Sequence, residues 1–573
     1  MSRQPRALHA LYLGPTPQAI SGRLPASSAG LAVGGEIRLR PVGLILVETV
    51  LRSCPLGSPD HSIHCLLIIL ESSTEKNNTT RSARKHLKQL EHKTTTLWSP
   101  FSEWRISSAT QVPDPFAVDA RAVFTHTETG EQLTTGLFPS GDNEWAFRFA
   151  NSRTGHWTCK TESEIPDLGG WTTIIDVEPD NSARGTISHI GHWWAWSESG
   201  EVFVPQLAMY DSPEGFLDQP EKIETDIKTL LSDHGFNGFH VPVFCRWFDI
   251  DKETNPEFDD PDPLPDPRTF DALELLIQKT YAAGGMVHLW MWGDNDADHR
   301  MTPMRDDWGG KNGRVVSRLL KYVAARLAPV IGWTMGYGFD LEHWVAEEDL
   351  RQWHETLTEA MSWPHLLGGR SGRPKDDPEL LQIYDGLDYA GYTHLRPKYE
   401  DYVTAIKRHP DKPVFSEDRF RIRESERFAF KDYTEEATRR GLWDSTMAGG
   451  VANIWGMMAK GERNGRSVSY PNADHLQTCA KFFKVRLKAG MQIDNSLTDG
   501  CCLRNQDKSV LLFYKESTDA LEIEVTNASE NLRAILVDAC APYVETPIEI
   551  TAGRQVIRCP KSSDWAVCVE GRG

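Results

Sequence analysis

Glu342 and Glu417 each follow a short apolar run with the texture of a buried strand. The runs are Val330-Ile-Gly-Trp-Thr-Met335, ahead of Gly-Phe-Asp340-Leu341-Glu342-His-Trp344, and Lys412-Pro-Val-Phe415, ahead of Ser-Glu417-Asp-Arg419. Two carboxyl groups at the ends of different strands can divide proton transfer and nucleophilic attack across one glycosidic bond. That division needs about 5–5.5 Å between the groups, one protonated and the other ionised. The two acids lie far apart in sequence, so a fold must bring them together.

The elements around them alternate. Apolar strand candidates recur at 203–209, 238–244, 286–291, 331–335, 365–367, 389–392, 413–415 and 451–454. Amphipathic helical stretches lie between them at 223–232, 271–283, 314–327, 347–361 and 434–446. Alternating strand and helix implies a parallel sheet, and eight such units close into a barrel. The expected fold class is α/β, a (β/α)8 TIM barrel over residues 199–490. Glu342 then follows the fourth strand and Glu417 the seventh, on opposite sides of the barrel mouth.

Other strand-end residues suit a substrate site. Arg246 ends the second strand, where a guanidinium can grip a carboxylate with two parallel bonds. Trp290 and Trp292, at the third, offer flat apolar rings for neighbouring sugar subsites. Asp340 rivals Glu342 as the proton donor. Arg419 belongs to a basic set on the same loops, with Arg246, Arg300, Arg305, Arg370, Arg373, Arg396, Lys398, Arg421 and Arg423. Such forks suit sulfate or carboxylate groups on a polysaccharide. The alternative is that they pair with Asp294, Asp296, Asp306, Asp307 and Asp418.

Flanking the barrel, alternating strands at 120–124, 144–149, 155–159 and 171–177 read as a β-sandwich over 96–198. Residues 498–573 return to strands, a small β-domain that caps the barrel or holds sugar. Residues 1–95 lack sustained periodicity and read as a poorly ordered extension.

Over about residues 98–487 the chain resembles the clan-A retaining glycoside hydrolases, which carry acids after strands four and seven. The sandwich is similar to one that precedes such barrels, around Gly141-Asp-Asn-Glu-Trp145, Phe147-Arg-Phe149 and Gly155-His-Trp157. The resemblance implies Glu342 as acid/base and Glu417 as nucleophile. It implies that Tyr392 or His394, after strand six, hydrogen-bonds the nucleophile, with core packing as the other role for Tyr392. It also implies that Trp455, at the end of strand eight, stacks on the cleaved sugar. The clan usually has Asn before the acid/base; here that residue is Leu341, and the contact to the sugar 2-hydroxyl is left without an owner.

Composition narrows the classes. Among 573 residues the net charge is −19, so no global positive field favours nucleic acid. Apolar stretches at 41–47 and 65–70 are too short to span a membrane, and no standard secretory signal is visible. The 10 cysteines lack metal-ligand spacing, while disulfides among Cys540, Cys559 and Cys568 stay open. The run Asp294-Asn-Asp296-Ala-Asp298-His299 lacks the Gly and Glu of a calcium loop. No HExxH, phosphate loop or G-x-S-x-G occurs, so neither metal nor cofactor is expected. The 19 Trp exceed what packing needs, which points to a carbohydrate partner. Two rivals remain: a barrel that binds sugar without chemistry, favoured by Leu341, and a lyase or isomerase using Asp340 or His394. If the basic loops do recognise an anionic glycan, affinity for a charged oligosaccharide will fall as salt rises; affinity indifferent to ionic strength would refute that.

Overall fold

A computed structural model describes residues 88–571, apart from 211–219, 253, 294–301, 339, 372–383, 393–397, 422–432, 457–471 and 527–531. At 220, 371 and 418–421 it describes the backbone alone. The expectation for residues 1–87 lies outside the described residues.

Parallel staves form a nearly closed barrel of eight. They are Gln206–Met209, Gly238–Pro242, Met286–Trp292, Trp333–Gly338, a fifth in two pieces (Leu367–Gly368 and Arg370–Ser371), Ala390–Tyr392, Val414–Arg421 and Ala452–Gly456. The first pairs with the eighth, Ala208 opposite Trp455. The fifth is broken at Gly369. Its first piece sets Gly368 opposite Gly336 of strand four; its second sets Arg370 opposite Gly391 of strand six. The described side chains of the staves are buried on both faces, as a parallel sheet under helices requires.

Helices cover the outside at Pro267–Ala282, Arg314–Leu327, Glu347–Ala360, Tyr399–Arg408, Glu435–Met447 and Ala473–Lys484. Arg314–Leu327 buries Val315, Val316, Leu319, Leu320, Val323 and Leu327, a stripe at three- and four-residue spacing. Asp266 and Thr434 cap their helices by accepting from Arg268 N and Ala437 N. Inside, Leu207, Met286, Phe415, Ala452 and Ile454 share one cluster with Trp194 and Trp196 of the hairpin Ile187–Ile190/Trp193–Trp196. The ring of Trp194 lies 5.7 Å from Tyr389 and 5.9 Å from Phe415, and its Nε1 donates to Val414 O at 3.2 Å. The hairpin thus packs into the barrel's interior cluster.

Two sheets precede the barrel. One joins Lys88–Gln89, Lys93–Thr96, Trp171–Glu178, Gly155–Ser163, Ala120–His126 and Gln132–Gly136; the other joins Ser102–Ser107, Glu144–Phe149 and Phe138–Gly141. Residues 88–89 and 93–95 are therefore sheet, not loose extension. The two sheets meet ring on ring: Phe149 lies 4.7 Å from Phe124 and 5.0 Å from Trp157. The opposite face of Glu144–Phe149 turns to the barrel helices. There buried Arg148 donates to both oxygens of Glu274, at 2.8 and 2.9 Å, and Glu274 also accepts from Arg326 at 2.6 Å.

After the barrel comes a six-stranded sheet: Gln492–Ile493, Cys501–Arg504, Val510–Val525, Gly553–Gly571, Leu532–Asp538 and Thr546–Ile548. Val510–Val525 runs as one long strand, with register shifts between Lys515 and Ala520 accommodating its bend. Cys540, Cys559 and Cys568 are free thiols, so no disulfide links them. Among the described residues no helix is long and apolar enough to cross a membrane.

This sheet seats on the helix Glu435–Met447, with Trp443 stacked on Tyr514 at 4.9 Å. Asp564 accepts from Arg440 at 2.9 and 3.0 Å and from Ser517 N at 2.8 Å, and pairs with Arg439. Burial opposes the Asp564 charge, but the Arg440 and Arg439 bonds outweigh it and bring the carboxyl down to about 2. An unfolded Asp titrates near 3.9. The seam is therefore strongest above about pH 4 and weakens as the pH falls toward 2. Asp564→Asn should cost about 3 kcal/mol at pH 7, and about 1 kcal/mol less at pH 3, by urea titration followed through Trp fluorescence. Equal losses at both pH values would contradict the assignment.

Candidate active site at the barrel mouth

Glu417 faces the barrel interior because Phe415, two residues earlier, packs inward and strands alternate with a period of two. Its side chain is fully buried. Three donors converge on Oε1: the Tyr389 hydroxyl at 2.6 Å, His288 Nε2 at 3.0 Å and, more distantly, Trp290 Nε1 at 3.4 Å. Oε2 has no hydrogen-bond partner among the described residues. A carboxylate inside a core is tolerated only when such donors replace its lost water.

His288 comes from the third strand, and its Nδ1 lies 2.9 Å from Thr334 Oγ1 on the fourth. With the ring neutral and Nε2 donating to Glu417, Nδ1 accepts from the Thr334 hydroxyl. Burial raises the Tyr389 hydroxyl well above the ordinary phenol range, and the Glu417 charge pushes it the same way. Tyr389 thus stays a donor. Glycines clear the space. A Cβ on Gly336 would stand 2.7 Å from Glu417 Oε1, and one on Gly391 2.5 Å from Oε2. A Cβ on Gly368 would overlap the ring of Tyr389.

The second acid stands on a turn. Strand four ends at Gly338, Asp340 takes the left-handed conformation at φ 52°, and a short 3-10 turn spans Leu341–His343. Glu342 is exposed there, 3.4 Å from His343 Nε2. Asp340 Oδ1 accepts from Arg370 Nη2 at 2.6 Å. Arg370 is only 6% exposed, and its Nη1 donates to the Glu417 carbonyl at 3.5 Å. Leu341 is fully buried.

The remaining expected residues fall into three groups. Trp290 is buried against Glu417, and Trp292 is buried with its ring 6.3 Å from Phe248. Arg246 is buried on the turn Phe244–Trp247, where its carbonyl accepts from Thr269 Oγ1 at 2.6 Å. Tyr392 and Trp455 point out of the barrel, one residue out of phase with its interior. Tyr392 packs with Tyr402, Ile406 and Val414 against the helix layer, so Tyr389, not Tyr392, holds Glu417. Trp455 packs toward Gly441 of the helix Glu435–Met447 and donates to Gln206 at 2.9 Å, which removes it from any sugar-stacking position. His394 lies outside the described residues, as does the side chain of Arg419, whose backbone pairs opposite Ile454.

Sequence reasoning missed His288, Tyr389 and Thr334. Parity would have found His288, which shares a strand face with Trp290. The tryptophans were also overread: all but Trp98 and Trp171 are buried, so they pack cores and seams. Of the loop arginines, Arg305 pairs with Asp307 and Arg370 with Asp340. Among the described residues no group of three or more His, Cys, Asp or Glu is arranged to hold a metal ion.

Residues 94–164 match a family described as a domain of unknown function, DUF5060. No curated protein matches the chain. Among solved structures, a candidate glycoside hydrolase from Bacteroides vulgatus has a TM-score of 0.64 at 15% identity, covering 84% of this chain and 100% of that one. A family 5 glycoside hydrolase from the same organism gives 0.48 at 12%, covering 68% and 94%. A family 39 glycoside hydrolase from Bacteroides cellulosilyticus gives 0.42 at 11%, covering 84% and 98%. At 15% identity the first likeness establishes the shared fold and nothing finer.

Tyr389→Phe should destabilise the protein by about 2 kcal/mol, the value of a buried hydrogen bond to a charge. In a Glu417→Gln background the same change should cost less than half as much by denaturant titration. Additive losses would mean that the two groups do not depend on each other.

Proposed function

We propose that the chain is a clan-A retaining glycoside hydrolase, with Glu417 as nucleophile and Glu342 as acid/base. One observation carries this: the buried carboxylate on the seventh stave has its donors gathered on Oε1 and, among the described residues, no partner on Oε2. Donors on one oxygen fix the rotamer and the charge, and the other oxygen keeps its lone pairs for carbon. In the first step Oε2 bonds to the anomeric carbon as the bond to the leaving oxygen breaks, and the Glu342 carboxyl protonates that oxygen. In the second, the Glu342 carboxylate takes a proton from water, the water oxygen bonds to the anomeric carbon, and the ester to Glu417 breaks. Tyr389, His288 and Trp290 serve Oε1 through both steps.

Within this proposal the substrate is a polysaccharide or its oligosaccharides, and the flanking sheets are a β-sandwich and a capping β-domain. Anionic glycans rest on the loop arginines, but Arg305 and Arg370 already have acidic partners, which favours a neutral sugar beside them. A second reading, a barrel that binds glycan without cleaving it, draws on the exposure of Glu342 and on Leu341 in place of Asn. The two differ in one measurable product. Against a panel of polysaccharides the wild type should release new reducing ends with the anomeric configuration retained by proton NMR. Glu417→Ala should keep its circular dichroism spectrum and lose turnover by at least about 1,000-fold. Near-normal release by Glu417→Ala would refute the nucleophile, and glycan binding without release by wild type would favour the second reading.

A further inference from the structure

The break in the fifth stave coincides with the turn that carries the second acid. Gly369, at the break, faces Leu341: a Cβ there would stand 2.6 Å from Leu341 Cδ1. Gly338 faces the same side chain, its added Cβ 3.1 Å from Leu341 Cδ2. Leu341 is fully buried, so its isobutyl group sits against two positions that carry no side chain. One residue beyond the break, buried Arg370 donates to Asp340 Oδ1 at 2.6 Å and to the Glu417 carbonyl at 3.5 Å. The turn is therefore held at two adjacent points, by Leu341 below and by Asp340 beside it. Both holds involve the fifth stave, through Gly369 and Arg370, and Gly338 at the end of the fourth shares the first of them. The left-handed backbone of Asp340, costly for a residue with a Cβ, is what an imposed geometry of this kind looks like.

We infer that Arg370 is a positioning residue. Its guanidinium sets the position of the Asp340–His343 turn relative to the seventh stave, and so sets how far Glu342 stands from Glu417. This deepens the hydrolase proposal and rests on it. It also assigns Asp340: its carboxylate is the handle by which the turn is held, not the proton donor. A planar fork is needed because a single group must reach two acceptors on different staves at once, which a lysine ammonium on a flexible stem does less well.

Two measurements test this, and they fail separately. The first is amide hydrogen exchange by mass spectrometry across 340–345 in wild type and Arg370→Met. Exchange at least about tenfold faster in the variant, with the other barrel strands unchanged, supports the anchoring; unchanged exchange overturns it whether or not the protein cleaves any sugar. The second is kinetic, on phenyl and 2,4-dinitrophenyl glycosides of the sugar that the wild type releases. Dinitrophenolate leaves without a proton, so a misplaced acid should matter only for phenol. Arg370→Met should lose roughly 100-fold in kcat on the phenyl glycoside and less than about fivefold on the dinitrophenyl one. Arg370→Lys should fall between, and added methylguanidinium should restore the Met variant in part. Equal losses on both leaving groups would overturn acid positioning while leaving the nucleophile intact. Should the wild type cleave neither, the hydrolase proposal and the acid-positioning role fall together, and the exchange result alone then decides whether Arg370 anchors the turn. Gly369→Ala is the second variant: it pushes on Leu341 from below and should give the same leaving-group selectivity without touching a charge.

Discussion

A charged group placed where water does not reach it imposes conditions on everything nearby. Taking a carboxylate out of water costs several kcal/mol unless hydrogen bonds replace those it loses. For Glu417 those bonds come from Trp290 and His288 on the third stave and from Tyr389 beside the sixth. They can converge only in one register. Trp290 stands opposite Gly336, Gly336 opposite Gly368, and Ala390 opposite Val414. A slip of one residue would turn each of these side chains to the helix layer. The same register puts glycines beneath the carboxylate and the Tyr389 ring, where any side chain would collide. One buried charge therefore discriminates between alternative pairings of the staves.

The seams around the barrel obey a related rule. Arg148, Glu274 and Arg326 join the N-terminal sheets to the helices, and Asp564 joins the C-terminal sheet to Arg439 and Arg440. Buried ion pairs add little net stability over apolar contacts of the same size, but an unmatched one is expensive. They therefore favour one seating of the sheets over others. The attraction itself comes from rings such as Trp443 on Tyr514 and Trp363 on Phe149.

Much of the barrel was legible. The strands at 286–291 and 389–392 and the helix at 314–327 were readable because apolar periodicity reports burial directly. Tyr399–Arg408 escaped notice because only Tyr402, Ala405 and Ile406 are buried along it, too sparse a stripe to stand out. The acids on strands four and seven were also readable, being charges just beyond apolar runs. Their neighbours were not. Which face of a short strand points inward depends on register against other strands, and misjudging it exchanged Tyr389 for Tyr392 and moved Trp455 to the wrong side. Leu341 looked like a missing contact because the two glycines that receive it come from different strands.

The tryptophan hairpin packed into the lower barrel has a consequence for traffic. With Trp194 set against Tyr389 and Phe415, described side chains fill the cylinder at that end, and a molecule that reaches Glu417 comes and goes from the other. On the proposed hydrolase reading, a long polymer cannot be threaded from one end to the other. It can only lie across the rim or dip one terminus inside. Whether such a chain is met in its middle or at its tip is therefore decided beyond the strand ends and not by the strands themselves.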